Sequence, residues 1–247
     1  MSKIYEVLRQ HRQEDPRKQL STLEADMPRA SQPVGDLLTA NRDMQSLYRS
    51  IEALVPGMQG GAMIMFSSAH RGEGTTTVCG SFAATLAQHF GKSVLIVDGD
   101  RNHALSQRFG SQGDRRDALL RKSPEGVLQG ATRVGARGSV ATVPVISLDG
   151  SADDDGPELE IISNIKDKLA TAFDCILIDS PSLEDASWSA SVGPMTDGVI
   201  LVIEAERTRW PVALNAKRGF ETSGAKVLGV FLNKRRFYIP PRIYRNV

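Results

Sequence analysis

The chain has 247 residues, 40% of them apolar, a formal net charge of +1 and only two cysteines. That length and composition suffice for one α/β core and argue against a second full domain. The balanced charge supplies no global field toward nucleic acid or an anionic membrane, and two cysteines make no disulfide framework. No apolar run approaches the roughly 20 residues a membrane span needs, and the start Met1-Ser2-Lys3-Ile4-Tyr5-Glu6 lacks the apolar centre of a signal peptide. The expectation is a cytoplasmic protein whose link to a membrane, if any, comes through a partner or a surface patch.

In chain order, residues 1–13 carry Ile4, Val7, Leu8 and His11 on one side of a short amphipathic helix. Residues 14–35 are polar, with Pro16, Pro28 and Pro33, and read as a flexible linker. A longer helix follows from Asp36. In it Met44, Leu47, Tyr48, Ile51, Leu54 and Val55 recur at helical spacing until Pro56-Gly57 stops it. From there strands are expected at 62–67, 93–98, 142–148, 174–179, 198–204 and 227–232. Helical patterns lie between them at about 75–90, 157–172, 185–193 and 209–223. Short, wholly apolar strands separated by helices predict a mostly parallel β-sheet flanked by helices on both faces. Residues 110–140 are rich in Gly, Arg and Asp; the expectation there is a loop with at most one short helix near 126–130. The end, 237–247, is a basic and aromatic tail whose two prolines break any continuous helix.

The stretch that carries chemistry is Ser67-Ser68-Ala69-His70-Arg71-Gly72-Glu73-Gly74-Thr75-Thr76-Thr77. It sits between an apolar strand and a helix. In that context glycines let backbone N–H groups wrap a polyphosphate at the positive end of the helix. The usual pattern ends Gly-Lys-Ser/Thr, but here Thr75 stands in the lysine position and Thr76 follows it. The scaffold is present and its main cation is missing.

Three features fall where such a site needs them. One apolar strand ends in Asp98-Gly99-Asp100, a later one in Asp179-Ser180-Pro181, and the last in Asn233. Ligands of parallel sheets gather at the carboxyl ends of strands. Carboxylates at two of those ends, close to the Thr76 hydroxyl, suit Mg²⁺ with its shell of waters. Asn233 offers an amide to a purine edge. Taken singly, each aspartate reads as a helix cap or turn residue, and a Gly-Glu-Gly turn is common. Their conjunction is what points to nucleotide. Cys79 and Cys175 read as small core residues, and His70 and His103 lack companions at metal-ligand spacing.

The runs ending in Asp98-Gly99-Asp100 and Asp179-Ser180-Pro181, with Thr196-Asp197-Gly198 and Val227 to Asn233, resemble the nucleotide motifs of bacterial protein-tyrosine kinases. These are the cytoplasmic partners of polysaccharide co-polymerases, within the MinD/ParA group of deviant P-loop ATPases. The opening Met1 to Leu8 is similar to members encoded with exopolysaccharide machinery. The resemblance spans about 36–236 and implies a P-loop NTPase-like domain there. It implies that Gly72, Glu73, Gly74, Thr75, Thr76 and Thr77 bind the phosphates of ATP or ADP, and that Asn233 touches the adenine. It further implies that Thr76, Asp98 and Asp179 serve Mg²⁺, and that Asp98 and Asp100 assist attack by a tyrosine hydroxyl. The implied partner is an inner-membrane polysaccharide co-polymerase or chain-length protein, with a homo-oligomer as a further expectation and no nucleic acid.

The departures matter as much. Besides Thr75, Arg71 stands where a proline is usual, Asn102 replaces an arginine, and Ser182 replaces a second proline. The helical motif Glu-x-x-Arg-x-x-Arg reads Asp43-x-x-Ser46-x-x-Arg49, and only Tyr238 and Tyr244 remain of a tyrosine-rich tail. A charge-assisted hydrogen bond is worth about 1.5–3 kcal/mol, or roughly 10- to 150-fold in affinity. Ground-state binding survives such a loss better than catalysis, where charge builds up. The sequence therefore favours a degenerate kinase-like protein acting as a regulatory or docking subunit in exopolysaccharide biosynthesis and export. The alternatives are an active tyrosine autokinase and a partitioning-type ATPase.

Overall fold

A computed structural model describes residues 42–99, 132–134, 143–147, 156–170, 172–184 and 187–235. The expected N-terminal helix, the linker, the tail and Asp100 to His103 lie outside the described residues.

Helix α1 (Arg42–Leu54) buries Met44, Tyr48 and Ile51, the stripe its spacing predicts, and a 3₁₀ turn at Pro56–Gln59 leads into β1 (Ala62–Ser68). The chain continues through α2 (Thr75–His89), β2 (Val94–Asp98), β3 (Thr132–Val134), β4 (Val143–Ser147), α3 (Gly156–Leu169) and β5 (Cys175–Asp179). It ends with α4 (Ser187–Val192), β6 (Gly198–Glu204), α5 (Trp210–Thr222) and β7 (Val227–Asn233). The seven strands form one sheet in the order β3-β4-β2-β5-β1-β6-β7, parallel throughout except where β3 runs against β4.

Successive strand side chains point to opposite faces, so a strand buried on both sides feeds two cores. On one face Ile64, Phe66, Ile96, Leu177, Ile200 and Val202 meet α1 and α2 through Tyr48, Ile51, Phe82 and Leu86. On the other, Met63, Met65, Leu95, Ile176, Ile178 and Leu201 meet α3 and α5 through Ile162, Ile165, Leu169 and Phe220. Every residue of β1, β2 and β5 is buried, as befits interior strands, whereas β7 is half-buried at the sheet's edge. Tyr48 stacks on Phe90 with ring centroids 4.1 Å apart and donates its hydroxyl hydrogen to Glu52 at 2.7 Å. Burial and that carboxylate push the phenol up to about 12.

Strand starts are tied down by carboxylates. Asp197 accepts the Met63 N–H at 2.8 Å and Asp174 accepts the Ser93 N–H at 2.9 Å. Within the described residues, the expected strands and helices form within a few residues of their anticipated bounds. The exception is β3, in the stretch expected to be a loop. A three-residue strand carries too little periodicity to be seen, and the edge of β4 supplies its pairing, Thr132 opposite Val145 and Val134 opposite Val143.

Candidate nucleotide-binding site

The loop between β1 and α2 turns on two glycines in the left-handed region, Gly72 at φ +84° and Gly74 at φ +96°. Gly74 caps α2, and its carbonyl accepts the Val78 N–H at 3.0 Å. The first-turn amides of a 15-residue helix thus open toward the loop, the arrangement that attracts anions. Thr75 is buried, Thr76 half-buried and Thr77 exposed. The position that would carry the lysine therefore holds a short, buried hydroxyl side chain.

Glu73 is only 3% exposed, and its carboxylate is committed to the scaffold. One oxygen accepts the His70 N–H at 2.9 Å; the other accepts the Glu204 N–H at 3.3 Å and the Thr208 hydroxyl. The acid of the loop is a rivet to the end of β6, an assignment its place in a glycine loop did not suggest. The end of β7 grips the same loop from its carbonyl side. The Asn233 amide donates from Nδ2 to the Glu73 carbonyl at 2.8 Å, and Lys234 Nζ donates to the Gly72 carbonyl at 2.7 Å. Lys234 also meets Glu204 Oε2 at 2.9 Å, and Arg207 approaches that oxygen at 3.2 Å. These two cations hold the Glu204 carboxyl below its ordinary range, with the Lys234 hydrogen bond the largest cause.

Asp98 and Asp179 end adjacent strands and are direct register partners. Both are almost wholly buried. Their strand parity, shared with Ile96 and Leu177, sets them on the face that α2 covers. Accordingly, the Cys79 thiol in α2 is pushed far up, first by burial and then by the charges of Asp179 and Asp98. The Gly99 N–H donates to the Asp179 carbonyl at 2.8 Å, locking the two strand ends together. A Cβ on Gly99 would lie 2.4 Å from the Trp188 ring, so α4 packs directly over this corner. The segment after β5 is knitted to β1 by the Ser180 N–H to the Phe66 carbonyl and the Ser67 hydroxyl to the Pro181 carbonyl, at 2.9 and 2.8 Å. His70 Nδ1 lies 2.6 Å from Glu184 Oε2 across the same seam.

Two carboxylates in register are hard oxygen donors, the kind Mg²⁺ takes together with water and phosphate oxygens. No cluster of three or more His, Cys, Asp or Glu forms among the described residues, so a dedicated all-protein metal cage is absent there. Beside the loop, on its β6 side, opens a cavity of about 290 Å³ with Arg71, Arg207, Arg209 and Val212 in its walls. Glu73 and Glu204 line it as well, so three guanidinium groups face two carboxylates there.

The structure thus joins Asn233 to the loop at Glu73 and sets Asp98 and Asp179 side by side on the face that α2 covers, near Cys79. Asp100 lies outside the described residues. What the sequence did not reveal are Lys234, Glu204 and Thr208. Nothing in local spacing couples the first to Gly72 or the other two to Glu73.

A sequence model described as "Cellulose biosynthesis protein BcsQ" matches residues 62–219. Tyrosine-protein kinase CpsD of Streptococcus agalactiae is 28% identical over 177 residues, 70% of this chain and 75% of that protein. Succinoglycan biosynthesis transport protein ExoP of Rhizobium meliloti is 26% identical over 175 residues, 70% of this chain but only 22% of ExoP. Among solved structures, the VpsO kinase domain aligns with a TM-score of 0.57 and 26% identity, over 79% of this chain and 97% of its own. The MinD cell division protein of Aquifex aeolicus, at TM-score 0.53 and 22% identity over 75% of this chain and 73% of its own, shares the fold. No helix among the described residues is long and apolar enough to cross a membrane. With the model covering well over half its length, this chain belongs to the BcsQ family, among the bacterial tyrosine-kinase-like P-loop proteins of MinD/ParA type.

Proposed function

We propose that the protein is a degenerate kinase-like P-loop subunit that holds a nucleotide and serves polysaccharide assembly by docking and regulation more than by phosphoryl transfer. The observation that carries this is Thr75. The loop keeps its glycine turns, its helix terminus and the Asp98–Asp179 pair, while the side chain at the lysine position is a buried threonine. Backbone N–H groups of residues 72–77 hold the phosphates of ATP or ADP, and Thr76, Asp98 and Asp179 hold Mg²⁺. A bound Mg²⁺ supplies charge neutralisation at the phosphate oxygens. Asn233 keeps its Oδ1 for the adenine amino group while Nδ2 stays on Glu73. Asp98, with Asp100 beyond the strand end, is the base available to a tyrosine hydroxyl. Without a cation at position 75 the charge that builds on the transferring phosphoryl group is poorly met, so binding outlasts turnover.

The setting draws support from the cellulose-biosynthesis description of the family and from ExoP, a succinoglycan biosynthesis transport protein. On that footing the partner is an inner-membrane polysaccharide co-polymerase or chain-length protein. The protein itself is cytoplasmic, peripheral at the inner membrane through that partner, and homo-oligomerises as it works. The domain spans 36–236, behind a short helix at 1–13 and a linker at 14–35, with the tail 237–247 following.

Radiolabelled ATP and Mg²⁺ test the central point. The expected outcome is measurable nucleotide affinity with little phosphate release or tyrosine labelling in the wild type, and a rise in turnover in Thr75→Lys. Robust labelling or release by the wild type, abolished in Asp98→Ala, would instead establish an active kinase or partitioning-type ATPase. That second reading is favoured by one observation, the retention of both buried aspartates in register.

A further inference from the structure

The phosphate loop lacks its own lysine, yet an ammonium group is bonded to it. Lys234 Nζ donates to the Gly72 carbonyl at 2.7 Å, and it comes from the residue just past β7. Its backbone sits at φ +55°, a left-handed conformation that a side chain-bearing residue seldom adopts. Asn233, one residue earlier, donates to the next loop carbonyl, that of Glu73, at 2.8 Å. The two peptide units of Gly72-Glu73-Gly74 are therefore gripped in succession from the carbonyl side.

A peptide carbonyl and the N–H of the same unit point in opposite directions. The Gly72 carbonyl that Lys234 grips belongs to the unit whose N–H is that of Glu73. The Glu73 carbonyl that Asn233 grips belongs to the unit whose N–H is that of Gly74. A donor on the carbonyl polarises the unit and strengthens its N–H toward an acceptor on the far side, and an ionised donor does so most. Glu204 does not cancel the ammonium, because one carboxylate there faces both Lys234 and Arg207.

Resting on the nucleotide-holding function above, we propose that Lys234 is a positioning residue that replaces the absent loop lysine from behind. It fixes the loop's curvature and lends its charge, through the Gly72–Glu73 peptide, to the binding of a nucleotide polyphosphate. The ammonium never needs to enter the phosphate cradle, which a lysine at position 75 would do.

The full chain is titrated with Mg-ADP by calorimetry as wild type, Lys234→Met, Lys234→Arg, Thr75→Lys and the double variant Thr75→Lys/Lys234→Met. Losing one charge-assisted contact should weaken Lys234→Met about tenfold or more. Lys234→Arg, which keeps the charge, should recover most of that loss. In the Thr75→Lys background the same substitution should cost less than about threefold, because the charge is then supplied locally and the two changes are not additive. Melting of the ligand-free variants separates a folding defect from a binding one.

Wild-type affinity in Lys234→Met, or an equal loss in both backgrounds, would overturn the proposal and leave the nucleotide function standing. No binding by the wild type or by Thr75→Lys would remove that function, and this inference with it.

Discussion

Asn233 closes so tightly on Gly74 that a Cβ at position 74 would lie 2.2 Å from its Nδ2. The contact joins the last strand to the phosphate loop across the width of two strands, and it explains why a glycine is needed there twice over. The backbone is left-handed, and the space is taken.

Gly74→Ala should therefore fail for both reasons. The left-handed conformation costs a residue with a Cβ about 1–2 kcal/mol, and the clash forces Asn233 off the Glu73 carbonyl. Urea unfolding should show at least that loss, and Mg-ADP affinity should fall with it. Ala at Gly72, whose Cβ would meet nothing within 4 Å, should cost only the backbone term.

The Asp98–Asp179 pair predicts a metal-specific effect. Stabilisation by a saturating ligand follows mass action, about 2.7 kcal/mol at a hundred times Kd. Wild type should melt higher with ATP and Mg²⁺ than with ATP and a chelator. Asp179→Asn should remove the difference between the two conditions while keeping the chelator-insensitive part. An Mg²⁺ increment that survives in both Asp98→Asn and Asp179→Asn would move the metal elsewhere.

Both cysteines should be silent in the native protein. Cys79 and Cys175 are buried, and burial, the largest cause for each, raises their thiols well above the ordinary value. The thiolate is the reactive form, so a raised value keeps both protonated through neutral pH and beyond. A chromogenic disulfide reagent at pH 8 should label neither thiol over minutes and both once denaturant is added. Fast native labelling of Cys79 would show α2 opening away from the aspartates.

Glu204 gives a pH dependence with a definite sign. Its folded carboxyl is held below its ordinary 4.5, chiefly by the Lys234 hydrogen bond. A depressed carboxyl contributes while ionised, so the Lys234–Glu204 link is full at neutral pH and fades only as pH falls through the depressed folded value. A carbon-detected NMR titration should find Glu204 titrating under pH 4.5, and Lys234→Met should move that midpoint back up.

The sequence displayed the sheet because every residue of β1, β2 and β5 is buried on one face or the other, which writes a continuous apolar run. It displayed the glycine turns and the strand-end aspartates because loop and strand termini are local. Thr132 to Val134 escaped notice because its pairing belongs to β4 and not to its own spacing. The fastening of the loop escaped for a deeper reason. Glu73 looked like a loop acid facing ligand, yet two of its three partners, Glu204 and Thr208, lie more than a hundred residues onward. Lys234 simply follows an apolar run, with no local spacing that ties it to Gly72. Contacts of that span leave no periodic trace, and only the closure of the sheet through β6 and β7 creates them.

A growing polypeptide emerges from the ribosome with its glycine loop in hand long before Asn233 and Lys234, which lie 160 and 162 positions downstream of their loop partners. Such a nascent chain has the cradle without the fasteners. Competence for nucleotide should consequently wait until β7 has been made, and arrive in a single step when that strand zips onto its neighbour.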